Sequence, residues 1–302
     1  MVETRRGFLF GLAAYGMWGL FPLYWPLLKP AGAVEILAHR MFWSLVVMVI
    51  LVFAARRTRQ LRTILASRRT RTILVVAAVL ITVNWGTYIW GVNSEHVVET
   101  ALGYFINPLV TVLMGVFLLG ERLRRLQWVA MALAGLAVLG LTVEYGRPPW
   151  VALILAFSFG SYGLAKKKAN TGAVESLTLE TVVVTPVALG YIIWLMATGG
   201  SHFAHEGVGH SMLIVSTGIV TAIPLICFGA AATRVSMTTL GLLQYITPLI
   251  QFAIGVFFFH EPMPLMRLVG FGLVWVALVI FTVESLNHRR VQLRDSAEAA
   301  AI

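Results

Sequence analysis

Tyr104-Phe105-Ile106-Asn107-Pro108-Leu109 leads into Gly115-Val116-Phe117 and Glu121. Gln244-Tyr245-Ile246-Thr247-Pro248-Leu249, 140 residues later, leads into Gly255-Val256-Phe257 and Glu261. The register holds as far as Thr142-Val143-Glu144 against Thr282-Val283-Glu284, with 13 of 41 aligned pairs identical and no gap. Apolar sequence matches its leucines and valines by chance, but it rarely places proline, glycine and glutamate in register as well. An internal repeat constrains the fold before any single residue does. In a membrane chain it points to a transporter.

The 302 residues are 59% apolar and 12% charged, about half the charged fraction of a soluble domain. This is the composition of a polytopic membrane protein. The formal net charge of +10 does not describe a nucleic-acid-binding face, because the basic residues sit between apolar runs, where orientation signals belong. The single cysteine, Cys227, rules out an intrachain disulfide. Thr4-Arg5-Arg6-Gly7-Phe8-Leu9 looks like a twin-arginine signal. The apolar stretch behind it continues to about Leu28, too long for a signal core, and reads as an uncleaved first helix.

A bilayer core of about 30 Å takes roughly 20 apolar residues per helix. Ten runs fit, at 7–28, 34–54, 73–92, 98–119, 126–143, 149–165, 176–198, 211–231, 238–259 and 264–284. The expected fold is all-α and polytopic, with ten transmembrane helices as two inverted five-helix repeats, residues 1–146 and 147–286. Residues 287–302 read as a disordered cytoplasmic tail. With the N-terminus inside, 19 of the 23 lysines and arginines fall in inner segments, the exceptions being Lys29, Arg40, Arg147 and Arg267. Both termini are therefore expected in the cytoplasm of a multi-pass plasma-membrane protein. Five spans per repeat invert the second copy, so Glu121 and Glu261 should lie at opposite faces. Each ends a helix, where a carboxylate opposes the dipole, so each needs a cation or a helix N-terminus as partner.

Pro108 and Pro248 fall mid-span. Proline lacks an N–H and clashes with the carbonyl four residues back. The carbonyls of Tyr104 and Gln244 should thereby lose their helical partners. Matched breaks of this kind mark a substrate cavity and its hinges. Tyr15 and Trp18 share one helix face, as do Asn84 and Tyr88. With Tyr104, Asn107, Gln244, Tyr245 and Thr247 they are the expected substrate-binding residues. A structural kink, or an amide bonding a neighbouring helix, is the competing reading. Glu35, His39 and Arg40 open the second span. Ionisable residues there suggest gating or proton coupling, with Glu35 and His39 one turn apart and able to pair. Glu180, one turn into the seventh run, raises the same question nearer the other face. His202, His205 and His210 share a glycine-rich loop without the carboxylates or cysteines that would complete a metal site. No HExxH, GxSxG, Walker or paired-cysteine motif is present, so neither a catalytic centre nor a cofactor is expected.

Further strings carry a resemblance. They are Ala14-Tyr15, Trp18-Gly19, Pro22-Leu23-Tyr24-Trp25, Glu35-Ile36-Leu37-Ala38-His39-Arg40 with Trp43-Ser44, Asn84-Trp85 and Tyr88-Ile89-Trp90. Leu102-Gly103-Tyr104-Phe105-Ile106-Asn107-Pro108-Leu109, Glu121-Arg122-Leu123, Gln244-Tyr245-Ile246 and Pro248 complete the set. Over about residues 7–284 the chain resembles the RarD family of EamA-type permeases in the drug/metabolite transporter superfamily. The resemblance implies the ten-helix inverted repeat, a bacterial inner membrane and permease-like transport. RarD proteins are linked by name to chloramphenicol sensitivity, and better-understood relatives export amino acids and other metabolites through a central cavity.

The expectation is a secondary transporter moving a small amphipathic solute by alternating access. A bare inorganic ion would instead want a cage of carbonyls or carboxylates. The alternative is a non-transport regulatory or assembly partner on a transporter fold. That alternative predicts a dry centre filled by side chains, whereas transport predicts a polar cavity reaching one face.

Overall fold

A computed structural model describes residues 2–93, 97–145 and 149–258, together with 268, 269, 272, 273, 275, 276, 279, 280, 283 and 284. Glu261, most of the tenth apolar run and the 287–302 tail lie outside the described residues, as do Glu95, Arg147 and Arg267. Among the described residues the regular structure is all helix. Among the described residues seven helices are long and apolar enough to cross a membrane. In chain order the elements are α1 (Val2–Gly19), α2 (Phe21–Tyr24), a 3₁₀ turn (Trp25–Leu28), α3 (Ala33–Ala54), α4 (Thr58–Ala66), α5 (Arg68–Asn93) and α6 (Val97–Leu119). There follow α7 (Arg125–Tyr145), α8 (Trp150–Ala169), α9 (Ala173–Ala197), α10 (Gly207–Ala232), α11 (Met237–Leu243), α12 (Ile246–Ala253) and a π turn (Ile254–Phe258).

Three of four departures from the sequence expectation have local causes. The first run is not one helix: it ends at Gly19 and continues through α2 and the 3₁₀ turn. Pro22 cannot donate to Trp18 and crowds its carbonyl, and that carbonyl instead accepts from Gln251 Nε2 at 3.3 Å. The arginine-rich segment after α3 holds a helix, α4, because Leu61, Ile64 and Leu65 recur at helical spacing along it. The sixth run extends to Ala169 and takes Lys166, Lys167 and Lys168 into its last turn. Cations there favour the dipole, and Asn170, at φ 43°, closes the helix in the left-handed conformation that asparagine tolerates.

The fourth departure concerns the two mid-span prolines. α6 runs unbroken through Pro108, whereas its repeat mate is split between α11 and α12. The Gln244 carbonyl is not orphaned, since Thr247 N donates to it at 3.2 Å in a tightened turn. The repeat shared by the two sequences is therefore not matched by a shared helix geometry.

The end of the bundle where α1 begins, here called basal, collects the ion pairs Arg234–Glu3, Arg57–Glu175, Arg124–Glu284 and Lys166–Glu180. It is tightly filled. Tyr162 stacks on Phe228 at 5.5 Å between ring centres, and Met237 and Leu240 are fully buried beside them. Glu121 has the helix N-terminus that its position calls for. Its carboxylate accepts from Met237 N at 2.7 Å, Thr238 N at 2.9 Å and Thr238 Oγ1 at 2.7 Å. Ser236 Oγ takes the next amide, that of Thr239, at 3.0 Å. The first three amides of α11, which no helical carbonyl can reach, are all bonded.

Glu121→Ala strands two of these amides and should destabilise the protein by about 2 kcal/mol. Glu121→Gln, which keeps one acceptor, should cost less. Thermal unfolding in detergent compares the two, and an unchanged melting temperature in Glu121→Ala would remove the capping role.

Candidate functional site

Opposite the filled basal end, α1, α2, α3, α5, α6, α8, α10, α12 and the junction before α12 line a cavity of about 140 Å³. The first run contributes Tyr15, Trp18 and Phe21, and α3 contributes Arg40. From α5 come Ile81, Asn84, Trp85 and Tyr88, and from α6 Tyr104 and Asn107. Leu155 and Phe159 of α8 and Thr221 and Leu225 of α10 close the sides. Gln244, Thr247 and Gln251 complete the wall from the split helix. An engineered protein core with a cavity of about 150 Å³ takes up benzene, so this volume suits a solute built on a single ring.

Much of the polar lining already has partners. Asn84 Nδ2 donates across to α8, to the Leu155 carbonyl at 2.9 Å and Ser158 Oγ at 3.0 Å. Gln244 Nε2 donates to Thr111 Oγ1 at 3.1 Å. Thr247 Oγ1 donates to the Tyr15 carbonyl at 2.8 Å. These residues hold helices together and shape the wall. Unspent capacity remains at Asn107 Oδ1, which is buried without a hydrogen bond, and at Tyr15 Oη, which faces Gln244 without a bond of good geometry. Buried polar atoms are ordinarily bonded, so such atoms on a cavity wall are places for a ligand or water to bond. Tyr88 and Tyr104 meet edge to face at 6.1 Å and form one aromatic side.

The EamA-like transporter family matches residues 5–143 and again residues 148–283. The chain belongs to the EamA-like transporter family. Protein RarD of Streptomyces exfoliatus is 58% identical over 299 residues, covering 99% of this chain and 95% of its own length. Protein RarD of Escherichia coli strain K12 is 42% identical over 288 residues, covering 95% and 97%. The crystal structure of a protein 17% identical to this one has a TM-score of 0.69 over 92% of this chain and 97% of that chain. At that identity the likeness concerns the fold alone. The protein is thus a RarD-type EamA permease, a multi-pass bacterial membrane transporter.

The other expected site residues of this EamA protein divide by position. Tyr245 points away from the cavity into a separate apolar cluster with Phe105, Leu109 and Ala134. Glu35, His39 and Arg40 do not act as one group. Glu35 leaves His39 unpaired and takes the α9–α10 loop instead: His202 Nδ1 lies at 2.8 Å, His202 N donates at 2.8 Å and Ser201 Oγ at 3.1 Å. His39 is buried beside Phe203 at 4.9 Å, with neither ring nitrogen bonded. Arg40 alone of the three lines the cavity. His210 lies in the first turn of α10 rather than in the loop, and the three histidines go separate ways, His202 to Glu35, His205 Nδ1 to the Phe203 carbonyl and His210 Nε2 to the Leu28 carbonyl. Among the described residues no group of three potential ligands is placed to hold a metal ion. Glu180 sits below the cavity, bonded to Lys166 and Tyr162.

Sequence reasoning did not place Phe21, Trp85, Phe159, Thr221 or Gln251 in the wall. Gln251 carries a usable signal, because its repeat mate is Thr111, another polar residue inside a span. Trp85 adjoins Asn84, but adjacent helix positions face different ways. Phe159 and Thr221 look like ordinary span residues.

Proposed function

We propose that this protein is a secondary transporter that moves a small amphipathic solute by alternating access. In this reading ten spans form two inverted repeats, residues 1–146 and 147–286, with both termini cytoplasmic and the cavity open to the outside. The observation that carries it is the cavity itself. Both members of the repeat pairs Tyr104/Gln244 and Asn107/Thr247 line it, which supports a site on the seam between two related halves. The family's double match supports the same division. A cavity among these residues supports transport over a non-transport partner protein, for which a side-chain-filled centre is expected.

Pro108 and Pro248 act as the paired hinges. One repeat helix is straight and its mate is split. Exchange of those two geometries between the halves closes the cavity toward one face and opens it toward the other. Tyr15, Trp18, Asn84, Tyr88, Tyr104, Asn107, Gln244 and Thr247 present stacking and hydrogen-bonding surface to the solute, while Tyr245 supports the wall from behind. Glu35 holds the outer loop as a gate, and buried His39 is the group placed to take up a proton if transport is proton-coupled.

The test needs no knowledge of the solute. In a Cys227→Ser background, Asn107→Cys should react with a membrane-impermeant thiol reagent in both right-side-out and inverted vesicles. Labelling confined to one orientation after prolonged exposure would contradict alternating access.

A further inference from the structure

We infer that the transported solute is a small planar monoanion, recognised by Arg40 through its carboxylate or sulfonate group. This deepens the transporter reading above and rests on it. Arg40 lies within a membrane-spanning helix, where a charge is costly to keep. Its guanidinium carbon sits 4.6 Å from the Trp25 ring centre and 5.0 Å from that of Trp85, so indoles from two elements flank it. Its Nε donates to Thr221 Oγ1 at 3.0 Å. Stacking and that one bond fix the plane of the fork. The two terminal nitrogens make no hydrogen bond to any described residue, and none of the ion pairs among the described residues includes Arg40.

Among the described residues no carboxylate is paired with Arg40. Glu35, the carboxylate nearest in sequence, is engaged by Ser201 and His202. The phenols of Tyr88 and Tyr104 share the cavity wall with Arg40, and at neutral pH phenols are uncharged. Among the described residues Arg40 is the sole ionised side chain in the cavity wall. An always-charged fork with its donors free matches a planar carboxylate with two parallel hydrogen bonds. Among its described residues the same wall offers no carboxylate to a cation or to the ammonium of a zwitterion. The remainder is aromatic, and the volume of about 140 Å³ admits one ring. Charge, shape and size converge on an arene monoanion, for which benzoate is the simplest probe.

The experiment is a thermal-shift titration of the purified full-length protein at neutral pH with benzoate, benzenesulfonate, benzamide, benzylamine and phenylalanine. A charged hydrogen-bonded contact is worth about tenfold or more in affinity. The two anions should therefore stabilise the protein at concentrations about tenfold or more below benzamide, with benzylamine and phenylalanine weaker still. Arg40→Gln should abolish the preference, and Arg40→Lys should keep part of it. The wild-type comparison stands even where a variant fails to fold. Equal stabilisation by benzoate and benzamide, or better binding of phenylalanine or benzylamine, overturns the monoanion assignment while leaving a transport cavity in place. Two-sided labelling of Asn107→Cys with no anion preference locates the failure in this proposal. One-sided labelling with a clear anion preference locates it in alternating access.

Discussion

Glu180→Ala should lower the melting temperature of the solubilised protein by on the order of 10 °C, the largest loss expected from any single charge removal in this molecule. Lys166 Nζ and Glu180 Oε1 lie 2.7 Å apart, and each side chain is 2% exposed. Ser176 Oγ accepts from the same ammonium at 2.7 Å, and the Tyr162 hydroxyl donates to Glu180 Oε2 at 2.9 Å. Every strong group in the cluster is satisfied, which is the condition for a buried pair to be tolerated at all. Removing the carboxylate leaves an ammonium that is 2% exposed facing a phenol and an alcohol. That uncompensated charge, rather than the attraction lost, sets the cost. Lys166→Met/Glu180→Leu/Tyr162→Phe removes charge and hydroxyl together and should recover most of the stability. A melting temperature for Glu180→Ala within about 1 °C of wild type would mean that Lys166 reaches water, since a hydrated ion carries no such penalty.

The cluster also shows where sequence reading stops. Helix positions are legible because hydrophobicity and length decide them in a bilayer, and the first nine apolar runs fall on described helical residues, with the first and ninth broken within. The wall residues are partly legible for a related reason: polar and proline positions inside apolar spans are few, and the repeat singles some of them out. Lys166 is not legible. It sits in a lysine triplet that reads as an inner-face orientation signal, yet one member turns inward to a carboxylate on the next helix. Arg40 reads as a gate residue from its depth, and only the neighbouring indoles and Thr221 place it in the cavity. Which face a side chain takes, and which of two equivalent partners it chooses, depends on helix crossings that local spacing does not encode. His39 is one turn from Glu35, but the loop brings His202 to the carboxylate with a backbone amide alongside.

Gly218→Val should prevent the protein from reaching its folded state, and Gly218→Ala should already lower both stability and ligand affinity. α10 crosses α3 so closely here that a Cβ on Gly218 would stand 2.5 Å from the carbonyl carbon and oxygen of Trp43. Those are backbone atoms, and no rotamer change relieves them. The helices would have to separate along the contact. Helix pairs in membranes associate through such close backbone approach, having no hydrophobic drive between them, and overpacking a tight contact costs about 1–3 kcal/mol or more. The damage reaches the cavity because Thr221 lies one turn further on the same face of α10 and anchors Arg40 Nε at 3.0 Å. Separation of α3 from α10 breaks that anchor first. Gly190→Ala is the control: a Cβ there meets nothing within 4 Å, so alanine's better helix propensity should leave stability unchanged or raised by up to about 1 kcal/mol. Thermal unfolding with and without benzoate reads both effects at once. If Gly218→Ala kept the wild-type melting temperature and the wild-type benzoate response, the α3–α10 crossing could not be what sets the position of Arg40.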